Sequence, residues 1–490
     1  MTPNDWRAPL LEAIEPAEQV EPDEPTPNRL GWPGYEPRGA VRWGRASIGG
    51  VETVLAAWDF DVYGGSFGER DATAFLAAVD TAVKARRPLV SLVRSGGTRL
   101  QEGIAGLVGM PRATLAVRRL ARAGLPHIVV ADQPTTGGVW VTVASRADIR
   151  AAVAGAVVGF AGPRVVEAVT GAAPGPGSHT AESAYAAGLV DVVLPPDEAA
   201  AWLGRVLGVL DSTAVRHQDD VAPPDLVERD GAEQVRACRS AGRPDGSALL
   251  GTLLVEPVPL VGADASVTAA MGRLEVTGQP VVAVAVAARR GGRPTPAGYR
   301  LLTRAARLAD RAEIPLLTLV DMPSAAPEEA AENAGQAAAI GEAMEAVLAC
   351  RAPTVAVLTG EGGSGGAMAA ACCDAVVVCP SSYFAALGPE GAAVTLRRSP
   401  DDAARMMGVR PADLLALGVA DGVVPDADAP DFAAAVAAVV GRQTRAEPAR
   451  RLDARERRWS FPVPGQLPEH QMCRRSLPVA GASRSHRHQV

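Results

Sequence analysis

The chain has 490 residues, 48% hydrophobic but only 4% aromatic, so two or three domains with cores of Ala, Val and Leu are expected. A formal net charge of −7 argues against a polyanion-binding protein. Lys84 is the only lysine, which excludes a Walker-type Gly-Lys-Ser/Thr loop and a biotin-accepting Met-Lys-Met segment, and leaves one weak candidate for a Schiff base.

Residues 1–40 are rich in Pro and Glu and read as a flexible N-terminal segment with no basic stretch followed by an apolar one. No uncharged apolar run reaches the roughly 18 residues of a membrane span. The expectation is a soluble, cytoplasmic, reduced protein with no membrane or nucleic-acid partner. Residues 41–225 alternate short apolar runs (VETVLAAWDF, RPLVSLVRS, LPHIVVAD, GAVVGFAG) with Ala-rich helical stretches (DATAFLAAVDTAVKA, PRATLAVRRLARAG), the pattern of an α/β domain. A polar stretch, DSTAVRHQDDVAPPDLVERDGAEQ, reads as a connection. A second α/β block, 226–445, carries the strands PVVAVAVAA, IPLLTLVD, PTVAVLTG and DAVVVCP. Residues 446–490 shift to Arg, Pro, Ser and His and read as a poorly ordered tail.

The two blocks match each other. RPLVSLVRSGG corresponds to IPLLTLVDMPS, PTTGGVWVTVA (Gly137 and Gly138) to GEGGSGGAMAAA (Gly365 and Gly366), FAGPRVVEAV to ALGPEGAAVTL, and AAGLVDVVLPPD to ALGVADGVVPDAD. Four elements in one order at near-equal spacing indicate a duplicated fold.

Each Gly-Gly pair follows an apolar strand and opens a helix. Such a junction frees backbone N–H groups at a helix N-terminus and admits close approach, which suits a developing oxyanion such as a thioester enolate. One donor of this kind is worth roughly 2.7–4 kcal/mol in the transition state. Two such sites are expected, one per block. A further turn, SGGTRLQEG, offers Gly96 and Gly97 for backbone approach, and Arg99 either to hold a phosphate or to pair with Glu102. GxGxxG is absent, so no dinucleotide site is supported. His127 reads as a packed strand residue, His179 lies in a Gly/Pro loop, and no Ser/His/Asp arrangement can be assembled. The six cysteines, Cys238, Cys350, Cys372, Cys373, Cys379 and Cys473, lack paired CxxC spacing and read as buried thiols, with no metal expected.

SGGTRLQEG, PTTGGV and GFAGPRVVEAV resemble the β-type half of the carboxyltransferase of acetyl-CoA carboxylase. GYRLLTRAARLADRAEIPLLTLVDMP, GEGGSGGAMAAACCD and ALGPEG resemble its α-type half, and the resemblance spans roughly 40–430 in the order of the fused actinobacterial form. It implies an α/β fold of two crotonase-like ββα superhelix domains and an active site between halves, usually across a homodimer. It implies oxyanion sites at Gly137 and Gly138 and at Gly362, Gly363, Gly365 and Gly366, one for the acyl-CoA carbonyl and one for the biotin ureido oxygen. Gly96, Gly97, Arg99, Arg164 and Arg293 become substrate-binding candidates, the arginines for CoA phosphates. Biotin would arrive on a separate biotin carboxyl carrier protein loaded by a biotin carboxylase, and no side-chain base is required. Two departures stand out. No cysteine precedes residue 238, so the family's zinc ribbon is missing, and DMPSAAPE (321–328) replaces the family's Asp-Thr-Pro-Gly-Ala-Tyr-Pro-Gly.

Three readings follow. The first is an acyl-CoA carboxyltransferase that makes malonyl-CoA from acetyl-CoA, or the homologous product from another acyl-CoA, for fatty acid or polyketide synthesis. The second is a biotin-independent decarboxylase of a malonyl-type thioester on CoA or acyl carrier protein, favoured by the altered loop. The third is a structural subunit, against which both retained Gly-Gly pairs argue.

Overall fold

The computed structural model describes residues 5–15, 27–211, 215–240, 242–287, 289 and 291–460. Seven strands form the first sheet: β1 (Val41–Ile48), β2 (Val51–Trp58), β3 (Leu89–Ser95), β4 (His127–Thr136), β5 (Ile149–Val153), β6 (Val158–Gly159) and β7 (Val192–Leu194). Their order is β1-β2-β3-β4-β5-β7 with β6 beside the end of β4. Only the β1–β2 pair is antiparallel.

The second sheet has eight: β8 (Leu254–Leu260), β9 (Val267–Leu274), β10 (Pro280–Val286), β11 (Leu316–Met322), β12 (Thr354–Gly363), β13 (Ala375–Val378), β14 (Tyr383–Ala385) and β15 (Gly422–Val423). They run β15-β13-β12-β11-β10-β9-β8 with β14 beside β12. With β8 set aside, each strand has a counterpart in the first sheet in the same order and sense. β10, β11 and β12 are buried along their whole length, which explains their unbroken apolar runs: parallel strands covered on both faces need no polar alternation. Helices Glu69–Ala85 and Ile104–Arg122 follow β2 and β3, as Pro296–Ala312 and Gln336–Ala349 follow β10 and β11.

The duplication reaches single residues. The β3–β4 ladder slips between Val93 and Ser95, so that Val93 faces Ala131 but Ser95 faces Thr135. The β11–β12 ladder slips identically, Val320 facing Leu358 and Met322 facing Gly362. Both slips fall where the strands hand over to the glycine-rich turns.

One apolar core runs through both halves, from Leu10 and Trp58 to Met271, Tyr299 and Cys373. Helix Pro296–Ala312 carries the join: Arg304 pairs with Asp191 and Arg311 with Asp148, both carboxylates buried at the feet of first-sheet strands.

Two expectations about the ends need correction. The N-terminal segment is not simply a flexible lead-in: Trp6 Nε1 donates to Asp132 Oδ2 at 3.1 Å, Arg7 Nη1 to the Trp58 carbonyl at 2.8 Å, and Leu10 and Tyr35 are buried. Nor is 446–490 all tail. Pro448–Trp459 is a helix whose Arg451 and Arg455 meet Asp374 at 2.8 and 3.0 Å, all three buried. Compositional bias cannot distinguish a solvated arginine from one whose charge is met by a buried carboxylate far away in sequence. Cys473, His470, His486 and His488 lie outside the described residues. The polar connection is irregular over 215–230 and then folds as helix Gly231–Arg239, whose Gln234 Nε2 donates to the Pro380 and Ser382 carbonyls at 2.9 and 2.7 Å. Among the described residues no helix is long and apolar enough to cross a membrane.

Candidate active site

The first turn cluster forms where β3 and β4 end. Gly96 N–H donates to the Gly64 carbonyl at 2.9 Å and Gly97 N–H to Ser95 Oγ at 3.1 Å, so both are engaged within the protein. Gly97 and Gly137 lie back to back at φ +108° and +65°, and a Cβ on Gly137 would come 2.8 Å from the Gly97 Cα. Only glycine fits either place. Gly137 N–H is taken by the Phe160 carbonyl at 3.0 Å. Gly137 therefore sets the backbone, and Gly138, second in the helical segment that starts at Gly137, stands where an N–H has no partner within the helix. A Cβ on Gly138 would overlap the Met110 thioether.

In the second half the ladder register places Ser364 opposite Gly137 and Gly365 opposite Gly138, and Ser364 holds φ +65° just as Gly137 does. This corrects by one residue the match of Gly137 and Gly138 to Gly365 and Gly366. Gly365 is exposed with nothing near its Cβ position, second in helix Ser364–Ala371. Gly362 and Gly363 lie in β12 between β11 and β14, and side chains there would overlap the Phe384 ring and the Pro323 carbonyl. They bring chains close together, while Gly365 faces open space.

Arg99 does not face a phosphate. It is fully buried, 2.7 Å from Asp71 and 3.5 Å from Glu102, with further bonds to Ser66 and to the Arg38 carbonyl at 2.6 Å. Of the two roles open to it, pairing with Glu102 is the one seen. Tyr35 closes the cluster by donating to Glu102, and the Tyr63 ring covers the Arg99 guanidinium at 5.3 Å. Arg164 and Arg293 are both exposed, Arg164 on helix Pro163–Thr170 behind the first turn and Arg293 ahead of helix Pro296–Ala312.

Two arginines not singled out in the sequence knit the second site together. Arg243 binds Asp321 through Nε at 2.9 Å and Nη2 at 2.7 Å, and Asp321 Oδ1 accepts the Glu361 N–H at 2.9 Å. Arg239 reaches Glu361 at 2.9 Å and Glu390 at 2.6 Å, while Tyr383 donates to Glu361 at 2.7 Å. The network ties the DMPSAAPE loop, the GEGG turn and the Pro-Glu-Gly helix into one unit. Arg239 holds the Glu390 carboxyl below the usual carboxylate range. No local pattern marks these arginines, because every partner lies on a distant segment.

His127 is buried, its Nε2 2.9 Å from Ser91 Oγ, and burial pulls its pKa down to about 4, which leaves it a neutral core residue. His179 sits at φ +60° beside Ser178 at 2.6 Å. The five described cysteines are buried, and burial pushes the thiols of Cys238, Cys350 and Cys372 up to about 12.

Residues 231–444 match the family described as acetyl co-enzyme A carboxylase carboxyltransferase-like. The acetyl-coenzyme A carboxylase carboxyl transferase subunits beta/alpha of Salinispora tropica are 38% identical over 415 residues, covering 79% of this chain and 73% of that protein. The probable biotin-dependent acyl-coenzyme A carboxylase beta3 subunit of Mycobacterium bovis is 32% identical over 431 residues, 85% and 87% of the two chains. Among solved structures, transcarboxylase 12S with hydrolyzed methylmalonyl-coenzyme A superposes with a TM-score of 0.71 at 24% identity, over 84% of this chain and 83% of that one. At that identity the likeness speaks to the fold, the duplicated crotonase-like α/β architecture. With paired glycine turns in equivalent places and relatives matching through both halves, the chain belongs to the carboxyltransferase family of the acetyl- and acyl-CoA carboxylases.

Proposed function

We propose that this chain moves a carboxyl group from carboxybiotin to the α-carbon of an acyl-CoA such as acetyl-CoA, using one helix N-terminus from each half. The observation that carries this reading is the repeated junction: strand, two-residue register slip, a residue at φ +65°, then an N–H without a helical partner at Gly138 and again at Gly365. Gly138 takes the thioester carbonyl. The α-proton would pass to the ureido nitrogen that gives up the carboxyl group; as it leaves, negative charge gathers on the thioester oxygen, and an N–H already aimed at it costs no reorganisation. Gly137, Gly96 and Gly97 hold the turn to which that N–H belongs.

Gly365 and Gly366 take the biotin ureido oxygen, and the open face of Gly365 fits a planar urea. When bound, biotin supplies the carboxyl group that becomes joined to the α-carbon, and it comes on a carrier protein charged by a biotin carboxylase. The Arg239–Glu361 and Arg243–Asp321 pairs keep the second turn rigid while a tethered ligand enters and leaves. Exposed Arg164 and Arg293 serve the CoA phosphates.

The working unit is a homodimer. Large apolar side chains stand in solvent near the first turn (Leu100 78%, Ile104 74%, Phe160 75% exposed) and near the second (Val394 81%, Met406 63%). Patches of that kind on both sites suit two copies packed head to tail, with the first half of one against the second half of the other.

Incubating the chain with malonyl-CoA, with and without free biotin, and quantifying acetyl-CoA by mass spectrometry tests the reaction in reverse. Biotin-dependent loss of the carboxylate supports it. Equal loss without biotin identifies a malonyl-thioester decarboxylase instead, and no loss in either arm removes acetyl-CoA as the acyl substrate.

A further inference from the structure

Two features of the second half carry a cost that packing does not explain, and they meet at one point. Tyr299, in helix Pro296–Ala312, is only 1% exposed, yet its hydroxyl has no hydrogen-bond partner. A phenylalanine would fill the same space without burying an unmet polar group. Gly366 is the third residue of helix Ser364–Ala371, where glycine is unfavourable relative to alanine. The two are linked, because a Cβ on Gly366 would overlap the Tyr299 hydroxyl. Glycine at 366 is what leaves room for that hydroxyl against the first turn of the helix. The other atoms near that Cβ position, Met322 Cε and Ala325 Cβ at 3.1 Å, offer the hydroxyl no acceptor, and Ala325 belongs to the small-residue loop after β11.

We propose that the Tyr299 hydroxyl is a hydrogen-bond donor to the ligand held at the second helix N-terminus, a third donor beside Gly365 and Gly366 for the oxygen of a urea. This inference rests on the biotin reading of that site. Burial, reinforced by Asp264, raises the phenol above its ordinary range, so it stays protonated and able to donate at any working pH. The first half has no equivalent: the same ladder register sets Val139 at the place of Gly366, and its side chain donates nothing. The two duplicated sites therefore differ in chemistry, one with backbone donors alone and one with an added hydroxyl.

The test compares the full chain with Tyr299→Phe and Gly366→Ala in three measurements: affinity for free biotin by ligand-observed NMR, thermal midpoint, and biotin-dependent malonyl-CoA turnover. Tyr299→Phe removes only an unpartnered atom, so its midpoint should be unchanged or higher while biotin affinity falls about tenfold, the scale of one lost donor. Gly366→Ala should reproduce the affinity loss by displacing the hydroxyl. Unchanged biotin affinity in Tyr299→Phe, or no biotin binding by the unaltered chain, overturns the proposal. Tyr299-dependent biotin affinity without biotin-dependent turnover keeps this donor and overturns the reaction instead.

Discussion

Among single residues, Gly138 is the sharpest test of the first site. Its backbone is not left-handed, and the atom a side chain would meet is the flexible end of Met110, so Gly138→Val should cost roughly 1–3 kcal/mol of stability. On the proposed role of Gly138, turnover should fall by at least about 100-fold, because the branched side chain would crowd the N–H assigned to the thioester oxygen. A fold that survives by circular dichroism with an undiminished rate would remove Gly138 from the site. The glycines were legible in the sequence as pairs, but their alignment was one residue off in the second half. Repeated letters pair Gly137 with Gly365, whereas backbone geometry pairs it with Ser364. Arg99 was visible as a conspicuous cation in a glycine-rich turn. Its burial against Asp71 was not, since that carboxylate arrives from a different helix.

At the level of elements, the C-terminal helix Pro448–Trp459 acts as a clasp. Asp374 opens the turn into β13 and accepts from Thr354 N–H at 2.8 Å, while Arg451 and Arg455 approach it from the clasp. Arg455 also donates to the Val347 carbonyl at 2.8 Å and to the Cys350 carbonyl at 2.5 Å, capping the end of helix Gln336–Ala349. Arg455→Ala removes a buried partner and should cost about 3–5 kcal/mol in a denaturant titration. A loss below about 1 kcal/mol would mean the clasp is ornamental to the fold. The strands were the most legible elements: RPLVSLVRS, LPHIVVAD, IPLLTLVD, PTVAVLTG and DAVVVCP all became sheet. GAVVGFAG shrank to Val158–Gly159, because β6 has only the tip of β4 to pair with.

For the whole molecule, the halves share a core and two ion pairs on buried carboxylates, so they should unfold as one unit. What the monomer leaves open is the apolar surface around both turns. On the proposed homodimer, Ile104→Arg or Val394→Arg, each at an exposed position, should leave the fold intact and shift the chain from dimer to monomer in analytical ultracentrifugation. Biotin-dependent turnover should be lost with the dimer. A monomeric unaltered chain with full activity would refute the head-to-tail arrangement.

The sequence by itself determined the duplicated α/β architecture, the strand–glycine–helix junctions and the family. These depend on local periodicity and on motifs short enough to be read along the chain. The tertiary structure alone decided which residues of the two turns are equivalent, that Arg99 is sealed in a core ion pair, and that Arg239 and Arg243 tie the second turn to its neighbours. It also decided that Trp6, Arg7 and helix Pro448–Trp459 pack onto the body and that Tyr299 stands beside Gly366 without a partner. Each of these turns on a contact between segments far apart in sequence. A charge or a hydroxyl acquires its role from what folding brings against it, and composition carries no record of that neighbour.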